Sequence, residues 1–364
     1  MRIRSIDWLR GLVMMLMTVD HAGGKFDAAH MHADSFLHWA RGSALPAGEF
    51  LTRWVTHLCA PTFLLLAGIS LALSAEKRRD QPGQTRFIVT RGLLIAALDP
   101  LWMSLAFNGY HRFGFQVLYA IGISMVCMAY LRHLPSRVLL AAAVLIQVLG
   151  EFSSRWHPEV EPIATIWKLS WSGGPVFGRG MCVYPFIPWL SIMMIGWVVG
   201  RWLVVPRPRG ERARTLAVIG VALLAMFVAV RGHDGYGNWH LHRDSLDILQ
   251  WLHVNKYPPS FTYVTLELGL AFLLLAGFMR IDDPEQPRAA LRPLALFGAT
   301  AFFFYLLHVH LLAALASLLD LDASSYALAK TWLFAALVIA LLAAPCAWYR
   351  GYKRAHPDGW ARYI

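Results

Sequence analysis

The sequence predicts an all-α, polytopic membrane protein of about ten transmembrane helices with both termini cytoplasmic. Three observations carry this. The 364 residues are 57% hydrophobic and 15% charged, where a soluble domain is about 45–50% apolar and about 25% charged. The apolar residues fall in blocks close to the roughly 20 residues that cross a bilayer core of about 30 Å. Lys and Arg are distributed unequally between the segments joining those blocks.

The blocks run 5–23, 51–74, 88–108, 113–131, 137–152, 184–203, 215–230, 259–280, 294–318 and 326–349. With the N-terminus in the cytoplasm, cytoplasmic segments hold 21 Lys and Arg, outer segments hold 9, and Arg53, Arg91 and Lys330 lie within spans. Positive residues favour the cytoplasmic side. The same bias accounts for the net charge of +11, and it assigns that charge to lipid headgroups rather than nucleic acid. Residues 5–23 carry Asp7, Arg10, Asp20 and His21 with no small-residue cleavage pattern after them, so they read as a retained span. Cys59, Cys127, Cys182 and Cys346 are scattered and suggest neither a disulfide framework nor a CxxC metal pair. The chain reads as one domain over 1–364. Three long outer segments, 24–50, 153–183 and 231–258, are rich in Trp, His and Gly and are expected to cap the outer face.

Polar residues inside the spans carry the functional signal. At about 1.5 Å of rise per residue, His57, His21 and His308 all lie roughly 8–9 Å below the outer surface. Arg53 is four residues before His57, on the same helix face. Asp20 adjoins His21. His310 cannot point where His308 points. Asp99, followed by Pro100, sits mid-span at an expected bend, and Glu267 is a further buried acid. Ionisable groups in a membrane usually serve function, although a histidine can also bond across a helix interface for packing alone. Lys330 reads as a snorkelling side chain. The loop histidines His30, His32, His38, His233, His240 and His242 match no zinc spacing, so no metal is expected.

Five stretches then carry a resemblance: "RIRSIDWLRGLVMMLMTVDHAGG", "LTRWVTHLCAPTFLLLAGISLALS", "YPFIPWLSIMMIGWVVG", "VNKYPPSFTYVTLELG" and "FFFYLLHVHLL". In this order they resemble bacterial members of the heparan-alpha-glucosaminide N-acetyltransferase catalytic family, from Arg2 to about Leu312. Asp7 with Arg10-Gly11 recurs across the wider transmembrane acyltransferase group. The resemblance implies transfer of an acetyl group from cytoplasmic acetyl-CoA to an amine or hydroxyl at the outer face, in a multi-pass protein of the bacterial inner membrane. In the lysosomal enzyme a histidine follows a GGK run. Here Gly23-Gly24-Lys25 precedes His30 and His32, neither at the family's offset, and the family's asparagine falls on Asp20. Heparan sulfate itself does not carry over to a bacterial-type chain, only the reaction class.

A thioester transfer needs a base and donors for the developing oxyanion. His57, His21 and Asp20 are the candidate catalytic residues, expected to share one outer-facing pocket. Arg53, His308, Lys256 and Tyr257 are candidate acceptor-binding residues. Arg10, Arg91 and Arg132 are expected near the phosphates of acetyl-CoA, on the strength of the resemblance. The expected partners are membrane lipids and a small-molecule or glycan acceptor, and association between copies is left open. A transporter or flippase would use the same buried charges, with Asp99 and Glu267 on its path. A haem or quinone protein would use the paired histidines as ligands.

Overall fold

The computed structural model describes residues 3–28, 30, 33–35, 39–79, 81–109, 111–283, 288–321, 323, 327–356, 359, 361 and 363. His32 and His38 lie outside the described residues. The order of the helices is α1 (Arg4–Phe26), α2 (Ala47–His57), α3 (Cys59–Lys77), α4 (Gln84–Leu98), α5 (Ser104–Asn108), α6 (Val117–Leu131), α7 (Ser136–Leu149) and α8 (Ile163–Trp167). There follow α9 (Phe186–Val204), α10 (Arg209–His233), α11 (Ile248–Leu252), α12 (Phe261–Ile281), α13 (Arg292–Ala299), α14 (Ala301–Leu318) and α15 (Leu328–Ala355). Among the described residues one small sheet forms, in the order β1 (Phe113–Phe115), β3 (Gly180–Cys182), β2 (Gly174–Val176), parallel then antiparallel.

This is an all-α polytopic membrane protein. Among the described residues, eight helical stretches are long and apolar enough to cross a bilayer, against ten expected. The two others are α1, which is 23 residues long but carries Asp7, Arg10 and Asp20, and α6, which is 15 residues long. Residues 113–115 were expected inside a span and instead form β1. The expected span 294–318 is two helices meeting at Thr300.

α1 runs through the middle of the bundle. It meets α13 so closely that a Cβ on Gly11 would lie 2.0 Å from the Leu294 carbonyl oxygen, and one on Gly298 would lie 1.8 Å from that of Asp7. Small residues allow such backbone contact between membrane helices. Arg10 locks the crossing, with Nη1 donating to Asp7 Oδ1 (2.9 Å) and the Gly298 carbonyl (3.1 Å) and Nη2 to Ser70 Oγ (2.7 Å).

Two prolines shape the bundle. Pro61 has no N–H for the carbonyl of His57 four residues earlier, and the helix breaks at Leu58 between α2 and α3. The freed His57 carbonyl accepts from the Tyr263 hydroxyl of α12 at 2.9 Å. Pro100 opens α4 into a π-helical turn, Asp99–Met103. Asp99 Oδ2 there accepts the N–H groups of Gln116 (2.8 Å) and Tyr119 (2.6 Å), so it caps the start of α6. Such capping satisfies amides that a helix start leaves bare.

At the end expected to face outward, loops form a cap organised by Arg231, which closes α10 and is 0% exposed. Its guanidinium donates to Asn238 Oδ1 (3.0 Å) and to the carbonyls of Leu241 (2.7 Å), Gln250 (2.7 Å) and His253 (2.6 Å). The chain is thereby fixed just before Lys256. Arg231→Met leaves these carbonyls buried without donors, at a cost of about 3–5 kcal/mol. A thermal melt in detergent should show Tm lowered by more than about 5 °C, and an unchanged Tm would remove Arg231 as the organiser of the cap.

Candidate functional site

The centre of the site is Arg53, on α2 and 3% exposed. A buried guanidinium needs carboxylates, and two different segments supply them. Asp34, from the chain after α1, lies 3.0 and 2.8 Å from Arg53 Nε through its two oxygens, and its Oδ2 also pairs with Nη2. Asp20, in the last turns of α1, pairs with Nη1 and accepts from Thr56 Oγ1 at 2.6 Å.

Two imidazoles lean on these carboxylates. His57 Nε2 is 2.9 Å from Asp34 Oδ1, which places the ring proton on Nε2 and leaves Nδ1 as a buried acceptor with no partner among the described residues. His30 Nε2 is 3.2 Å from Asp20 Oδ1. Its ring lies over Gly23, where a Cβ would come within 2.4 Å of it. A glycine at position 23 is therefore a matter of space for His30.

His21 belongs to a second group. Its Nδ1 is 2.7 Å from His308 Nε2, and His308 Nδ1 donates to the Tyr305 carbonyl at 2.8 Å. Since that carbonyl only accepts, His308 Nε2 accepts in turn and His21 Nδ1 donates. His21 Nε2 is left with its lone pair. The two histidines bond each other and so do not flank a haem iron. His310 turns away, as its position predicts, and packs at a tilt against Trp102, with ring centres 4.2 Å apart.

The expected single pocket of His57, His21 and Asp20 is therefore two adjoining groups. Neighbours on α1 are rotated by about 100°, so Asp20 faces Arg53 and His30 while His21 faces α14. Asp20 orients His30 rather than His21 or His57. The buried Lys256 links the groups, with His21, His30, Asp34 and His57 all within its electrostatic reach. Its backbone N–H donates to the Asp34 carbonyl (3.0 Å), and Ser35 Oγ donates to the Tyr257 carbonyl (2.9 Å). Sequence reasoning missed Asp34, Thr56 and Tyr263. Asp34 sits in a loop without periodicity, and Tyr263 acts only through the carbonyl that Pro61 releases.

Toward the other end lies a cavity of about 320 Å³, with Arg10, Arg78, Arg91 and Lys353 in its wall and apolar sides including Met14, Phe63 and Leu66. Tyr305 also lines it, and the Tyr305 ring packs edge-on to His21 at 6.2 Å. Of the three arginines expected near the donor, Arg10 and Arg91 line this cavity and Arg132 does not. It ends α6, donates to Gln84, Thr85 and the Ala129 carbonyl, and lines a separate cavity with Arg79 and Arg201.

Burial pulls His30 down to about 4, with Asp34 opposing, and pulls His253 down to about 4, with its bond to the Ala33 carbonyl opposing. Burial pushes Asp34 up to about 6, with Lys256 and His30 opposing. The lowered histidines contribute stability that is complete above 6.5 and is lost as pH falls toward about 4. Asp34 works oppositely, contributing fully below 3.8 and losing this as pH rises through about 6. The two histidines outweigh the one acid, so Tm should fall between pH 6.5 and 4. The fall should be shallower in His253→Gln. An identical slope in that variant would contradict the assignment.

Comparison with known proteins adds one result. The model of the heparan-alpha-glucosaminide N-acetyltransferase catalytic domain matches residues 2–231, which includes Asp20, His21, His30, Asp34, Arg53 and His57. No curated protein matches the chain. With more than half of its length matched, the chain belongs to the heparan-alpha-glucosaminide N-acetyltransferase catalytic family and is a transmembrane acetyltransferase.

Proposed function

We propose that this enzyme, in a bacterial inner membrane, takes acetyl from cytoplasmic acetyl-CoA and transfers it to an amine or hydroxyl, of a sugar or similar acceptor, at the outer face. The observation that carries this is the continuity between the two ends: Tyr305 both lines the cationic cavity and packs on His21. The phosphates of the donor meet Arg10 and Arg91 at one end of the cavity, its chain follows the apolar wall, and the thioester arrives beside His21. Membership of an enzyme family disfavours the transporter reading, and Asp99 is engaged in capping α6 rather than standing free on a path.

The acceptor binds in the Arg53 group. His30, oriented by Asp20, takes its proton as it attacks. The bare Nδ1 of His57 accepts a hydrogen bond from it, and Tyr257 lies beside it. Lys256 offsets the negative charge that develops on the acetyl oxygen. His308 is a positioning residue that fixes the tautomer of His21. A second reading gives His21 the acetyl group transiently. It is favoured by the lone pair on His21 Nε2, on a ring that packs against Tyr305 of the cavity wall.

The test is purified protein with labelled acetyl-CoA and glucosamine. Free thiol and acetylated sugar should form together. His30→Gln should lower kcat by about 100-fold or more, and Arg91→Ala should raise KM for acetyl-CoA by about 10-fold with kcat little changed. Label on the protein that hydroxylamine or mild acid releases, and that His21→Gln abolishes, identifies the acetyl-histidine route. A wild-type protein that leaves acetyl-CoA intact would sink the proposal.

A further inference from the structure

Glu267 is used by nothing described so far. It lies on α12, is 1% exposed, and neither of its carboxyl oxygens has a hydrogen-bond partner among the described residues. A buried polar group in that state calls for a specific explanation, and the cost of burying a carboxyl falls sharply when it carries its proton. Its position supplies one. Tyr263, one turn earlier on α12, holds the His57 carbonyl. Both α12 and the α2–α3 run start at the cap and descend together. One turn below Tyr263 is Glu267, and five residues beyond His57 is Thr62, which is 0% exposed with an unpartnered hydroxyl. Cys59, on the same run, bonds the Val13 carbonyl at 3.3 Å and is within electrostatic reach of Glu267. The residues next in sequence, Met14 and Phe63, line the donor cavity. Glu267 is thus level with the junction of cavity and acceptor group, and Lys256 is within its electrostatic reach.

We propose that Glu267 is the general acid that protonates the departing thiol. This rests on the acetyl-transfer reading above. The acceptor nitrogen bonds to the acetyl carbon, and its proton passes to His30. The C–S bond breaks with its electron pair on sulfur, and the sulfur takes the proton of Glu267. A naked thiolate in this water-poor junction is as costly as any unpaired buried charge, so the proton is needed as the bond breaks. The carboxylate left behind is offset by Lys256 until it recovers a proton from the His30 imidazolium. Amine and thioester have then become amide and thiol, and the enzyme is unchanged.

A general acid matters most when the leaving group is poor. The experiment therefore compares two donors, acetyl-CoA and the acetyl thioester of a far more acidic aryl thiol, with glucosamine as acceptor. Glu267→Gln should lose about 100-fold or more in kcat with acetyl-CoA, with KM unchanged. With the aryl thioester it should stay within about 3-fold of wild type. Glu267→Asp, which keeps an acid, should recover part of the loss with acetyl-CoA. Equal losses on both donors, or no loss on either, overturn the proposal. So does a Gln variant that fails to fold, because a site built for a neutral carboxyl accepts a neutral amide. If wild type releases no thiol from acetyl-CoA, acetyl transfer itself fails and Glu267 has no such step to serve. If wild type is active and the Gln variant matches it, only the role of Glu267 fails.

Discussion

The buried guanidinium of Arg53 is the constraint around which the cap end is arranged. A cation at 3% exposure is tolerable only if its charge is met and its donors are filled. Asp20 and Asp34 meet it, one from α1 and the other from the loop that follows it. The requirement therefore holds α1, the chain after it and α2 together. It also fixes how deep α2 can sit, which brings His57 onto Asp34 and leaves the helix to break before Pro61. Tyr263 then fastens α12 to the break. Removing either acid would strand a buried charge, which costs about 3–5 kcal/mol.

On the proposed function, the same arrangement joins two compartments without an open path. Arg10 and Asp20 are ten residues apart on α1, about 15 Å along the axis. The first faces the cavity lined by Arg78, Arg91 and Lys353, and the second a cluster of acids and imidazoles shut in by the cap. His21 sits where they approach each other. On the proposed function only the thioester end of the donor has to cross this distance, and Met14, Phe63 and Leu66 give the cavity an apolar wall for its uncharged chain.

Much of this was legible in the sequence. Hydropathy and the 21-to-9 charge bias describe a polytopic bundle, and the depth match of His21 and His308 anticipates two rings that bond at 2.7 Å. Depth says nothing about facing, so His57, at the same level, joins Asp34 instead. α1 has the length of a span but is more polar than the other spans because it supplies Asp7, Arg10 and Asp20 to contacts that no periodicity reveals. Asp34 and His30 lie in a loop whose path is set by Arg53 and Gly23, both distant in sequence from any recognisable repeat. Arg132 shares its charge and side of the bundle with Arg91 but spends its donors on α4 and its own helix.

The central claim is that donor and acceptor meet inside the bundle from opposite ends. It is tested most directly by sidedness in sealed proteoliposomes, with labelled acetyl-CoA added outside and glucosamine trapped inside. Acetylated sugar should appear in the lumen at a rate that depends on protein, and should be absent from vesicles carrying His30→Gln. If glucosamine is acetylated only when it is on the same side as acetyl-CoA, the two sites do not open to opposite faces and the account is wrong.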